Sequence, residues 1–265
     1  MNLELQGKVV LVTGGAKGIG EAIVRSFANE GAVVSIVDRN PDVAEKLIKD
    51  IESSGGKAFC IPTVLTDWDA CRNAIEQTVD KGGGGLDVLI HNAGVNDGVG
   101  LDSTPSDFLN SIQKSLFHVF SLTHFALEKL VESKGNIINI GSKVAVTGQG
   151  GTSGYAACKG AMNALTREWA LDLASRGVRV NSVIPSEVMT PMYKRWLDSL
   201  EQPERTLESI EENIPLGKRM TTGLEIADAV LFLASARSSH TTGQIFYPDG
   251  GYVHFDRAYE KIKLD

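Results

Sequence analysis

Tyr155 and Lys159 stand four residues apart in the stretch YAACK, a spacing that stacks two side chains on one face of a helix. A free phenol titrates near ~10 and a free ammonium near ~10.4, so neither does proton chemistry alone near neutral pH. Held together, they differ: a cation favours the phenolate, so Lys159 is expected to pull the proton affinity of Tyr155 toward the working range. A solvent-facing Tyr and Lys would show the same spacing. The rest of the chain decides between the two.

Near the N-terminus, VVLVTGGAKGIGEAI passes from an apolar strand pattern to a helical one through Gly14, Gly18 and Gly20. Glycines at such a junction let the backbone approach a phosphate at a helix N-terminus. The turn follows the first strand and opens the first helix, which is the context dinucleotide binding demands. Roughly ~20 residues later, SIVDRN ends the second strand with Asp38, the place of a carboxylate that binds the adenine ribose hydroxyls. A carboxylate there repels a 2′-phosphate and favours NAD. The basic Lys17 and Arg39 soften that preference and leave NADP open.

These groups need a frame to position them. Short apolar runs (KVVLVT, VVSIV, KAFCIPTV, DVLIH, NIINIG, RVNSVI, QIFYPD) alternate with helical patterns over Glu21–Asn29, Pro41–Ser54, Trp68–Lys81, Asp107–Ser133, Tyr155–Ala174 and Glu225–Ala234. The strand runs are nearly continuous in apolar residues, as expected of parallel strands covered on both faces. Strict alternation predicts an α/β fold: a Rossmann-like, doubly wound parallel sheet with helices on both faces. No linker or repeat divides the 265 residues, so one domain is expected over 1–265. The charge-rich stretch at about 189–220, bounded by Pro191 and Pro215, breaks the rhythm and reads as a small helical substrate lid.

Composition narrows the function classes. The net charge of −7 argues against a nucleic-acid or anionic-membrane partner. No apolar run approaches the ~20 residues of a membrane span. The opening MNLELQGK has neither the basic nor the apolar region of a secretory signal. Cys60, Cys71 and Cys158 lack disulfide or metal-ligand spacing, so reduced thiols, no metal and a cytoplasmic location are expected.

Taken together, the motifs resemble the short-chain dehydrogenase/reductase family over essentially the whole chain. The family's nucleotide turn matches TGGAKGIG, which brings Lys17 and Ile19 with the glycines to the cofactor. Its active-site helix matches Tyr155 and Lys159, and its serine, thirteen residues before the tyrosine, matches Ser142. Asn92, Ala93 and Gly94 match its turn after the fourth strand; Val188 and Thr190 match the turn that meets the nicotinamide carboxamide. The resemblance implies that Tyr155 is the general acid/base, that Lys159 lowers its pKa and holds the nicotinamide ribose, and that Ser142 hydrogen-bonds the reacting oxygen. It also implies a homotetramer built through the long fourth and fifth helices.

Four positions depart from the family pattern. Val64 replaces an acidic residue after the third strand, leaving Leu65 to pack on adenine. His91 stands for the first of two asparagines, and Ser186 replaces the glycine of the sixth-strand turn. Ser115 occupies the place of a catalytic asparagine that orders a relay water, and its shorter hydroxyl holds such a water only in altered geometry.

The expected substrate lining is polar: Asn96 and Asp97, Lys143, Gln149, Ser153 and Glu187. Such a lining suits a ligand with many hydroxyls. The stretches PSEVMTPMYKRWL, IPLGKRMTT and DGGYVHFDRA are similar to an L-fucose dehydrogenase subgroup, which implies oxidation of a pyranose at its anomeric carbon to the lactone. The alternatives are an NADPH-dependent carbonyl or 3-ketoacyl reductase of the same family and, from another class, a non-catalytic nucleotide-binding sensor.

Overall fold

The computed structural model of the chain describes residues 2–254. Seven parallel strands form one sheet in the order β3-β2-β1-β4-β5-β6-β7. They are β1 (Val9–Thr13), β2 (Val33–Asp38), β3 (Lys57–Pro62), β4 (Val88–His91), β5 (Asn136–Ile140), β6 (Arg179–Val183) and β7 (Ile245–Phe246). The order reverses between β1 and β4, whose pairing runs from Val10↔Val88 to Val12↔Ile90. A crevice opens at that reversal, above the carboxyl ends of the strands.

Alternation along each strand feeds two apolar layers. Val10 and Val12 of β1 join one layer with Ile23, Val24 and Phe27 of α1 (Gly18–Asn29), with α2 (Pro41–Ser53) and with α9 (Gly223–Ala234). Val9 and Leu11 join the other with α3 (Trp68–Gly82), α5 (His118–Ser133) and α6 (Ser153–Ala174). Residues such as Phe27, Leu89 and Leu130 are fully buried, each worth about 1.5–3 kcal/mol relative to exposure. Cys60, Cys71 and Cys158 are free thiols, each raised to about 11 first by burial. Among the described residues no helix is long and apolar enough to cross a membrane.

Two elements differ from the sequence reading. The helix expected over Asp107–Ser133 is three pieces: α4 (Pro105–Ile112), a π-helical turn (Gln113–Phe117) and α5. The π turn accommodates Ser115, whose hydroxyl lies 3.2 Å from both the nitrogen and the oxygen of Val95 and ties the helix to the loop after β4. The strand expected over QIFYPD shrinks to Ile245–Phe246, because Asp249 instead accepts from the Gly251 and Val253 nitrogens at 2.8 and 2.9 Å and curls the chain. The 189–220 stretch holds α7 (Pro191–Leu197) and α8 (Pro203–Glu212); α8 buries no residue.

Candidate active site

At the nucleotide end, Gly14 and Gly18 adopt φ of +62° and +60°, the left-handed region. Gly20 is constrained by space: a Cβ there would lie 2.2 Å from the Gly14 oxygen and 2.6 Å from Asn92 Nδ2. Asn92 explains the crowding, since its amide donates to the Thr13 and Gly14 carbonyls at 3.0 Å each. Thr13, which the sequence reading passed over, accepts from the nitrogens of Asn92 and Ala93 at 3.0 Å and donates to Ile90. The ends of β1 and β4 are thereby bolted together. Lys17 at the N-cap of α1 offers no side-chain cap, so the first-turn N–H groups around Gly18, Ile19 and Gly20 face the crevice unclaimed.

Asp38 projects from β2 and accepts from the Ala16 nitrogen at 3.2 Å and the Asn40 nitrogen at 3.1 Å. Lys17 and Arg39 are exposed beside it, and Leu65 is half-buried after β3. Across the crevice, Thr190 caps α7 by accepting from the Tyr193 nitrogen at 3.1 Å, while its own nitrogen donates to Val188. A Cβ added at Gly18 would meet the Thr190 side chain at 3.3 Å, so the turn after β6 reaches over the glycine turn.

At the chemical end, Ser142 closes β5 and Tyr155 and Lys159 lie on the first turns of α6. Tyr155 is half-buried, and burial pushes its phenol above the ordinary value; the neighbouring Ser142 hydroxyl works in the opposite direction. Lys159 is almost wholly buried and is lowered to about 8, chiefly by burial. Its ammonium donates to the Ile140 carbonyl at 2.7 Å and sits 5.6 Å from the Tyr155 ring centroid. The lowering of the phenol expected from Lys159 is therefore not what this arrangement yields. Burial is the larger effect, and the Ser142 hydroxyl opposes it only in part. Gly94 borders the same group: a Cβ there would lie 3.4 Å from Lys159 Nζ.

At the substrate end, Lys143 and Glu187 form an ion pair with only 15% and 6% of their side chains exposed. Two tyrosines that sequence reading missed complete it. Burial, and then the Glu187 carboxylate beside it, drives the phenol of Tyr193 on α7 strongly upward. Tyr252 places its hydroxyl 3.4 Å and its ring centroid 4.5 Å from Lys143 Nζ. Gln149 is exposed, and Asn96 takes only the Gly98 nitrogen at 3.5 Å. Asp97 is engaged by Ser111 at 2.9 Å and Lys114 at 3.5 Å, and Ser153 begins α6. Lys143 and Glu187 are thus brought together; Asn96, Asp97, Gln149 and Ser153 make no hydrogen bond to them. Of the DGGYVHFDRA ending, FDRA lies outside the described residues.

A family model described as enoyl-(acyl carrier protein) reductase matches residues 14–253. The chain belongs to the short-chain dehydrogenase/reductase family. Among its relatives, a 3-oxoacyl-[acyl-carrier-protein] reductase of Thermotoga maritima is 37% identical, across 95% of this chain and 100% of that one. An L-fucose dehydrogenase of Mus musculus is 34% identical, across 97% of this chain and 93% of that one. The crystal structure of Cj0485 dehydrogenase superposes with a TM-score of 0.93 at 40% identity, covering 100% of both chains. This short-chain dehydrogenase/reductase is accordingly an oxidoreductase that uses NAD or NADP. The uncapped N–H groups, the crowded glycine turn and Asp38 fit such a dinucleotide.

Proposed function

We propose that the chain oxidises an aldopyranose, L-fucose or a sugar with the same ring hydroxyl pattern, at its anomeric carbon to the lactone, with NAD preferred. The observation that carries this reading is the Lys143–Glu187 pair, roofed by Tyr193 and Tyr252. Burying a carboxylate and an ammonium beside two phenols is costly unless their remaining hydrogen-bonding capacity is used. Ring hydroxyls use it, donating to Glu187 and accepting from Lys143; an acyl chain or a steroid does not. The L-fucose dehydrogenase relative supports the same substrate class.

A nicotinamide held by these residues would supply the hydride acceptor for the anomeric carbon. The chain supplies the proton path and the geometry. Tyr155 as phenolate takes the anomeric hydroxyl proton while the carbonyl forms, and Ser142 hydrogen-bonds that oxygen. Lys159 holds the ribose next to Tyr155 and supplies positive charge. Gly14, Lys17, Gly18, Ile19 and Gly20 hold the diphosphate; Asp38 takes the adenine ribose; Leu65, Asn92, Gly94, Val188 and Thr190 border the rest. Gln149 and Asn96 join the sugar's outer contacts. Residues 189–220 act as the lid, and the working form is a cytoplasmic homotetramer.

A reduction assay of NAD and NADP against aldoses, secondary alcohols and ketosteroids tests the reading. L-Fucose is expected to give kcat/KM well above simple secondary alcohols. Tyr155→Phe is expected to lower turnover by at least about 10²-fold, the scale of a lost general base, with nucleotide affinity kept within a few-fold. A second reading, a 3-oxoacyl reductase using NADPH, draws on the Thermotoga relative and on the exposed Lys17 and Arg39. It prevails if the aldoses are inert and a 3-oxoacyl thioester is reduced with NADPH.

A further inference from the structure

Buried polar atoms without a partner gather behind Lys159. His118 opens α5 directly after the π turn, and His91 ends β4; both are 0% exposed, with ring centroids 6.4 Å apart. His91 Nε2 lies 2.9 Å from the Thr123 hydroxyl, but among the described residues His91 Nδ1 and both nitrogens of His118 complete no hydrogen bond. Buried ring nitrogens are costly to leave unpaired, so three at one place call for a polar guest. A neutral imidazole always keeps one nitrogen as an acceptor.

The Lys159 ammonium bears on this spot. Its charge acts on both imidazoles, and the residues that follow His91 run to Gly94, against its Nζ. One of its three N–H groups goes to Ile140, and a second meets only the weak acceptor Met162 Sδ at 3.6 Å. Ser115, the residue that the sequence aligns with the relay position, has its hydroxyl engaged with the Val95 backbone at 3.2 Å.

We propose that His118 is a positioning residue for Lys159, accepting a hydrogen bond from its ammonium through one buried water and so holding the cation under Tyr155. The inference rests on Tyr155 and Lys159 being the proton pair proposed above. Burial first, and then the Lys159 charge, lowers His118 to about 4, so it remains a neutral acceptor across the working range. The titratable groups that face it are His91 from β4 and Lys159 from α6, with Tyr155 one turn away. The Cys158 thiol turns instead to the Ser111 carbonyl at 3.7 Å. Loss of the acceptor weakens the ammonium, and a weaker cation lets the phenolate form only at higher pH.

His118→Met and His118→Gln have matched shape and differ in hydrogen bonding. The measurement is kcat/KM for oxidation against pH at saturating nucleotide, with the substrate that the panel shows to react fastest. His118→Met is expected to move the ascending limb upward by about one pH unit, the scale of a hydrogen bond to a charged group. Its turnover at neutral pH falls about tenfold in step, nucleotide affinity stays within about twofold, and His118→Gln returns most of both. His118→Ala, which removes the ring without adding bulk, replaces the Met variant if that protein does not fold. An unmoved limb in the apolar variant, or equal loss in the Met and Gln variants, overturns the role of His118 while Tyr155→Phe remains inactive. An active Tyr155→Phe overturns the proton pair itself.

Discussion

The nucleotide end and the substrate end of the crevice are held by different kinds of matter. Around Gly14–Gly20 the contacts run to backbone: the Asn92 and Thr13 side chains close on carbonyls and amides, and a missing Cβ makes the space. Around Glu187 the contacts are side chains drawn from the turns after β5 and β6, from α7 and from the segment after β7. A backbone site recognises what every dinucleotide shares, whereas a side-chain site can be rewritten one residue at a time.

Substitutions at the two ends separate them. Glu187→Ala leaves Lys143 buried without its partner and is expected to cost about 2–3 kcal/mol with a polyhydroxy substrate, about a hundredfold in kcat/KM. NAD affinity, measured by fluorescence quenching, should stay within about threefold of wild type. A fall in NAD affinity as large as that in turnover would dissolve the distinction between the ends. Gly20→Ala should do the reverse, weakening nucleotide binding about fivefold to 150-fold for the ~1–3 kcal/mol of overpacking against the Gly14 carbonyl. Substrate preference, read as the ratio of kcat/KM for two aldoses, should not move. Asp38→Ala tests a finer point at the nucleotide end, with NADP gaining on NAD by about tenfold because Lys17 and Arg39 then meet a 2′-phosphate unopposed. A wild type that already prefers NADP would show that the basic pair dominates.

The smallest effect falls at the start of α9. Glu225 caps α9 by accepting from the Thr222 nitrogen at 2.8 Å, and its exposed pair with Arg219, the main cause, lowers it to about 2. A carboxyl depressed on folding contributes stability above its ordinary pKa and loses it as pH falls through the depressed one. The Tm of Glu225→Gln should therefore lie slightly below wild type at neutral pH and converge with it toward pH 2. A constant gap at all pH values would assign the effect to packing.

The nucleotide end was legible in the sequence because its determinants are local: a glycine turn between a strand and a helix, then a carboxylate one crossover later. Strand positions were legible for the same reason, since continuous Val and Ile runs have few other uses. The π turn was not. It coincides with the Ser115–Val95 hydrogen bonds across a loop, and no helical periodicity reports a tertiary hydrogen bond. Tyr193 and Tyr252 were missed because they reach Glu187 and Lys143 from segments far apart in the chain. The Tyr155–Lys159 spacing was read correctly as one helix face, but spacing carries no information on desolvation, and burial reversed the expected direction of the Tyr155 shift.

The shallow packing of α8 has a consequence of another sort. A helix with no fully buried residue places few demands on its own sequence, so changes at its exposed positions carry little folding penalty. Random variation across Pro203–Glu212 can accumulate while the sheet and the nucleotide turn stay intact. If that stretch shapes entry to the crevice, this protein can acquire a new substrate range by drift in these ten residues.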